Sequence, residues 1–191
     1  MEFSRTLPFP RGSTYSDKSL VSTAADIGSS YPGMQYAGQV YTVPDTVHKK
    51  HPFVRLRAVH NHTTALTVAR KCVEFTTADG ESGRYITAIT NGQGDKGLPI
   101  DDAYTVGFVI AKNDMFYVVD EGPCDVLVTA SQTDAAAMSL GLVVTPDANG
   151  VLDATAAAAG DFQLGVLDED PLTASTAYRV YVKSSLMAQE A

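Results

Sequence analysis

The chain has 191 residues, of which 45% are hydrophobic and only 19% charged, so it can bury a real core while its surface leans on Ser, Thr, Asn and Gly. Residues 1–100 hold 11 Lys+Arg and 8 Asp+Glu, whereas residues 101–191 hold 3 and 14, which divides the net charge of -8 into +3 and -11. The acidic half disfavours general nucleic-acid binding, and no apolar run is long enough to cross a bilayer.

Residues 1–36 show neither a helical nor a strand period. The start, MEFSRTLPFPRGS, has no apolar h-region, so no secretory signal is expected. Pro8, Pro10, Pro32, Gly12, Gly28 and Gly33 punctuate a Ser/Thr-rich tract with scattered apolar anchors: Phe3, Leu7, Phe9, Tyr15, Leu20 and Tyr31. This stretch reads either as an extended arm that orders on a partner or as a tail without a role.

From Gly38 onward the spacing predicts short strands about every ten residues. They are Gln39–Val43, Val54–Val59, Leu66–Phe75, Arg84–Ile89, Thr105–Ala111, Met115–Val119, Cys124–Thr129, Leu140–Thr145, Gln163–Asp168 and Tyr178–Lys183. Asp79-Gly80, Asn91-Gly92, Asn113-Asp114 and Asn149-Gly150 mark turns between them. At most two short helices are expected, at Ser131–Met138 and Ala154–Ala159. The fold class is mainly β, an antiparallel small barrel or sandwich with an extended N-terminal arm. Residues 37–191 form this β part, as one domain or as two subdomains, about 37–100 and 101–191.

Few residue patterns suggest chemistry. His48, His51, His60 and His62 cluster in sequence, but without HExxH spacing or a cysteine pair they predict a polar or subunit-facing edge rather than a metal site. Asn91–Gly97 is glycine-rich without the order of a phosphate loop. The acidic pairs Asp101-Asp102 and Asp120-Glu121, and the run Asp168–Asp170, do not converge by spacing alone. No nucleophile motif is present. Cys72 and Cys124 make no disulfide framework and read as free thiols of a reducing compartment. No enzyme activity, cofactor or metal is expected. The basic stretch with Lys49, Lys50, Arg55 and Arg57 reads as a solvated or partner-facing stripe.

Four stretches carry a resemblance: Ser139–Thr145, Asp147–Val151, Ala159–Val166 and Tyr178–Val182, with Ala103–Ala111 as an opening strand. Together they resemble the small β-barrels of tailed-bacteriophage head decoration, or cement, proteins over residues 100–187. The resemblance implies a virion structural protein, made in the host cytoplasm, that binds and stabilises the major capsid protein lattice, often as a homotrimer. On this reading the capsid-binding residues are Phe3, Leu7, Phe9, Tyr15, Leu20, Tyr31, Lys49, Lys50, Arg55 and Arg57, and neither nucleic acid nor membrane is a partner. The alternative is a receptor- or glycan-binding β module on a virion surface, with Tyr104, Phe116 and Tyr117 near Asp101, Asp102 and Asp114.

Overall fold

Alternation of apolar and polar residues becomes strand in twelve elements among the described residues. The computed structural model describes residues 7–15, 38–49, 51–61, 64–76, 85–88, 97–112, 114–147, 149–153, 163–171 and 173–183. In chain order the elements are β1 (Val40–Pro44), β2 (Phe53–Asn61), β3 (Leu66–Thr67), β4 (Cys72–Thr76), β5 (Tyr85–Ala88), β6 (Leu98–Pro99) and β7 (Val109–Ile110). They continue with β8 (Met115–Leu127), α1 (Gln132–Ala137), β9 (Val143–Pro146), β10 (Leu152–Asp153), β11 (Gly165–Leu167) and β12 (Ala177–Lys183).

The protein is mainly β, as the sequence predicts. One sheet of ten strands runs β10-β9-β11-β12-β8-β2-β5-β4-β6, with β1 also on β2, and β3 pairs β7 separately. These strand pairings are antiparallel except β2 with β5. Among the described residues the packing is sandwich-like and does not close into a barrel. The ladder of β2 on β8 carries the sheet across both halves of the chain, pairing Arg55 with Glu121 at one end and His60 with Met115 at the other.

Three differences from the predicted elements have physical causes. Leu66–Phe75 is not one strand, because Arg70 adopts a left-handed φ of 56° and breaks the ladder. Met115–Val119 and Cys124–Thr129 are not separate strands. The intervening Asp120–Pro123 is a bulge inside β8, where the β2 register shifts between Arg55 and Leu56. Gly122 sits there with φ 118°, and a Cβ on it would lie 3.2 Å from Val54. The bulge lets the first half of β8 pair β2 and the second half pair β12. Finally, β6 and β10 have two residues each, too short for any period to show.

Local signals otherwise hold. Ser131 caps α1, its hydroxyl accepting the Asp134 N–H at 3.3 Å. Asn149-Gly150 lies in the β9–β10 hairpin, where Asp147 Oδ1 accepts the Asn149 and Val151 N–H groups at 2.7 and 3.1 Å. The second helix candidate, at residues 154–159, lies outside the described residues. Both cysteines are free and buried.

The core gathers Leu56, Ile100, Tyr104, Phe116, Tyr117, Leu152 and Leu164, all essentially without solvent contact. It also takes in part of the stretch read as an arm. Residues 7–15 are built into the β body: Phe9 is buried, Leu7 and Tyr15 pack against the core, and Tyr15 exchanges backbone hydrogen bonds with Met115 at 3.0 and 2.9 Å. This corrects the expectation of an arm free of the β domain over these residues. The segment lacks a period because it is wedged against β8 by single anchors rather than by a regular face.

Candidate functional site

Among the described residues, the densest gathering of chemistry-bearing groups is an ion-pair network where five parts of the chain meet. The N-terminal segment brings Arg11, the β1–β2 loop His48, the turn after β6 Asp101 and Asp102, strand β8 Asp125, and strand β12 Arg179.

Arg11 grips Asp101 bidentately. Its Nε donates to both carboxyl oxygens at 3.0 and 2.8 Å and its Nη2 to Oδ1 at 2.7 Å. Nη2 also reaches Asp102 Oδ1 at 3.4 Å. The Asp101 side chain is 0% exposed and that of Arg11 11%. Adjacent carboxylates converge here because they stand in a turn, not on a strand, whose alternation would have sent them to opposite faces. Gly12, with φ 78°, lets the segment close on this turn, since a Cβ there would meet the Ala103 carbonyl oxygen at 2.7 Å.

Asp102 Oδ2 faces His48 Nε2 at 2.5 Å and accepts the Asp125 backbone N–H at 3.0 Å. On the other side of the ring, Arg179 Nε donates to His48 Nδ1 at 2.9 Å, with Asp125 Oδ1 at 3.8 Å from both nitrogens. The β1–β2 loop delivers the ring because Asp45 Oδ1 accepts the N–H groups of Val47 and His48, each at 3.1 Å.

The two neighbouring aspartates shift in opposite directions. Burial raises the Asp101 carboxyl above the usual range despite the opposing Arg11 guanidinium. Burial pushes Asp102 the same way, but the His48 hydrogen bond and charge, the Asp125 N–H and Arg11 outweigh it and lower the carboxyl. Burial also raises the Asp125 carboxyl, against the pull of His48, Arg179 and Arg70.

A second set of contacts fastens the same segment. The Tyr104 hydroxyl donates to the Ser13 carbonyl at 2.6 Å, and the Tyr117 hydroxyl donates to the Phe9 carbonyl at 2.9 Å. The arrangement therefore clamps the chain. Its groups are poorly suited to nucleophilic chemistry, since burial pushes the thiols of Cys124 and Cys72 up and away from thiolate. His48, Asp102 and Asp125 bring donor atoms within 4.8 Å of one another, a spacing open to a metal ion. They do not fit one well, because guanidinium N–H groups of Arg179 and Arg11 already face His48 Nδ1 and Asp102.

The residues expected to meet a partner divide. Phe3, Leu20, Tyr31 and Lys50 lie outside the described residues. Phe9 is buried, and Leu7 and Tyr15 are half-buried against the protein's own core, so their apolar surface is largely taken up within the chain. Arg57 donates to the buried Asp120 at 2.9 and 2.6 Å, and Arg55 to Glu121 at 2.9 Å, so neither is a free cation. Lys49 is exposed in the β1–β2 loop. The histidines do not gather: His51 faces Asp168 at 3.4 Å, His60 is buried in β2, and His62 is outside the described residues. Tyr104, Phe116 and Tyr117 are fully buried, which withdraws them as a glycan platform.

Sequence reasoning missed Arg11, Asp125 and Arg179. One signal was available: Arg179 is one of only three basic residues of the acidic half and stands inside an alternating strand. No family model matches the chain, and no curated protein matches it in sequence.

Proposed function

We propose that this protein is a structural subunit of a virus particle, a capsid decoration protein that binds and stabilises the major capsid protein lattice of a phage head as a homotrimer. The observation that carries the reading is the ion-pair network. Its charges answer one another and tie the N-terminal segment, the β1–β2 loop and the strands of both halves into one stiff body. Such a body suits a protein whose work is to hold a surface in place. The resemblance over residues 100–187 points the same way, and repetition over a lattice multiplies weak contacts by raising effective concentration.

The attachment surface best suited to this role is the β1–β2 end rather than Phe9, Arg55 and Arg57. Val47 and Phe53 are 41% and 57% exposed there, flanking the exposed Lys49. The test is imaging of capsids incubated with the full-length chain, unaltered or carrying Phe53→Ser with Lys49→Glu. Density repeated across the capsid lattice, and lost in the double variant, is expected. Density restricted to a tail or spike would replace this reading with receptor binding, and lattice density unchanged by the double variant would move the attachment surface elsewhere.

A further inference from the structure

The hydrogens around His48 follow from chemistry alone. An arginine Nε always carries its hydrogen and can only donate, so its 2.9 Å contact with Nδ1 requires a bare ring nitrogen there. The imidazole is then neutral, with its hydrogen on Nε2 directed at Asp102 Oδ2. A protonated ring carries hydrogens on both nitrogens, and two N–H groups cannot face each other at that distance. An alternative acceptor stands ready: Asp125 Oδ1 is 3.8 Å from Nδ1, is buried, and has no hydrogen-bond partner among the described residues.

We propose that His48 is a proton-operated latch on the β1–β2 loop. Neutral, it accepts Arg179 at Nδ1; protonated, it releases Arg179 and donates from Nδ1 to Asp125, while Nε2 keeps Asp102 in both states. Closing the new bond needs a movement of about 1 Å to reach ordinary hydrogen-bond length. That movement passes to a short loop, because the His48 N–H is fastened to Asp45, whose own N–H bonds the Pro52 carbonyl at 3.3 Å. The loop carries Val47 and Lys49 on its outer side.

Charged groups surround the ring from every neighbouring element. Asp102 faces it from the turn after β6, with Arg11 and Asp101 behind; Asp125 faces it from β8, with Arg70 beyond; Arg179 faces it from β12. Asp168 and Glu169 lie further along, taken by His51 and by the Arg179 backbone N–H. Burial lowers the His48 pKa, but the hydrogen bond and charge of Asp102, then the charge of Asp125, outweigh it and raise the value, with Arg179 opposing. The exchange therefore falls above the ordinary histidine value.

The latch does not depend on the capsid reading, and the test needs no partner. Long-range proton–nitrogen NMR on the full-length chain with nitrogen-15 histidine, titrated through neutral pH, reads both tautomer and protonation; His48→Gln identifies the signal. The neutral form should carry its hydrogen on Nε2, and the Val47 and His48 amides should shift with the same midpoint as the ring. Arg179→Met should move the midpoint up and Asp125→Asn should move it down. A neutral form with its hydrogen on Nδ1, amides that ignore the titration, or a midpoint unmoved by Arg179→Met would each overturn the latch. The tautomer and amides are read on the unaltered chain, so the proposal remains testable where a variant fails to fold.

Discussion

Phe9 and Tyr117 lie face to face, their ring centroids 4.3 Å apart and 15° from parallel, and the Tyr117 hydroxyl closes on the backbone of Phe9 from the same side. A residue nine positions from the start is thereby part of the central strand's packing. Tyr15 adds a second ring at 6.2 Å from Phe9, and Tyr41 meets Tyr117 edge-on at 6.4 Å.

Deleting this anchor should therefore damage the fold. Phe9→Ala removes a buried ring and leaves a cavity beside Tyr117, for an expected loss of about 3 kcal/mol in chemical denaturation. Removing residues 1–36 should cost more, because Arg11 leaves with them and Asp101 loses its counter-charge. An unchanged denaturation midpoint in Phe9→Ala would show that the segment is only loosely applied.

The Arg11–Asp101 pair should show its value when one side is lost. Asp101→Ala leaves a desolvated guanidinium, and Arg11→Ala a desolvated carboxylate, each destabilising by about 3–5 kcal/mol. Arg11→Met combined with Asp101→Leu should recover much of that loss, because no buried charge remains. A double variant as unstable as the sum of the single ones would mean that the two residues act independently.

Charge reversal on β2 should separate two arginines that look alike in sequence. Asp120, whose side chain is 2% exposed, is held by Arg57 at 2.6 Å and only distantly by Arg55 at 3.8 Å; the nearer partner of Arg55 is Glu121 at 2.9 Å, and these two are 43% and 34% exposed. Arg57→Glu should destabilise the fold by about 3 kcal/mol through repulsion at a buried carboxylate. Arg55→Glu should cost about 1 kcal/mol or less and weaken further in effect at high salt. Equal losses for the two would mean that Arg55 holds Asp120 as firmly as Arg57 does.

The pH dependence of stability follows from the directions of the shifts. Asp102 is lowered in the folded state, so its contribution is present above the unfolded value of about 3.9 and is lost as pH falls through the folded value. His48 is raised, so its contribution is complete below about 6.5 and is lost as pH rises through the folded value. Asp101 and Asp125 are also raised, and they too favour the acidic side of their folded values. Stability should thus fall as pH drops through the folded Asp102 value and fall again as pH rises through the folded His48 value, above about 6.5, with a smaller high-pH decline in His48→Gln. Thermal unfolding across this range checks it, and an identical decline in the variant would remove His48 as its source.

What the sequence determined by itself was local. The strand-rich class followed from period-two alternation, as in Tyr178–Val182, where Val180 and Val182 are buried on one face. The start of α1 followed from Ser131, and the β9–β10 hairpin from Asn149-Gly150, because capping and turn formation involve residues only a few positions apart. The ion-pair network was decided by tertiary structure. Arg11 is 90 positions from Asp101 and His48 131 from Arg179, and nothing in their neighbours specifies these pairings. The same holds for Phe9, 108 positions from Tyr117. A segment without period can still enter a core when single side chains fill gaps that distant strands leave. Those gaps exist only once the sheet has formed, because burial is a property of the assembled surface and not of the chain that supplies it.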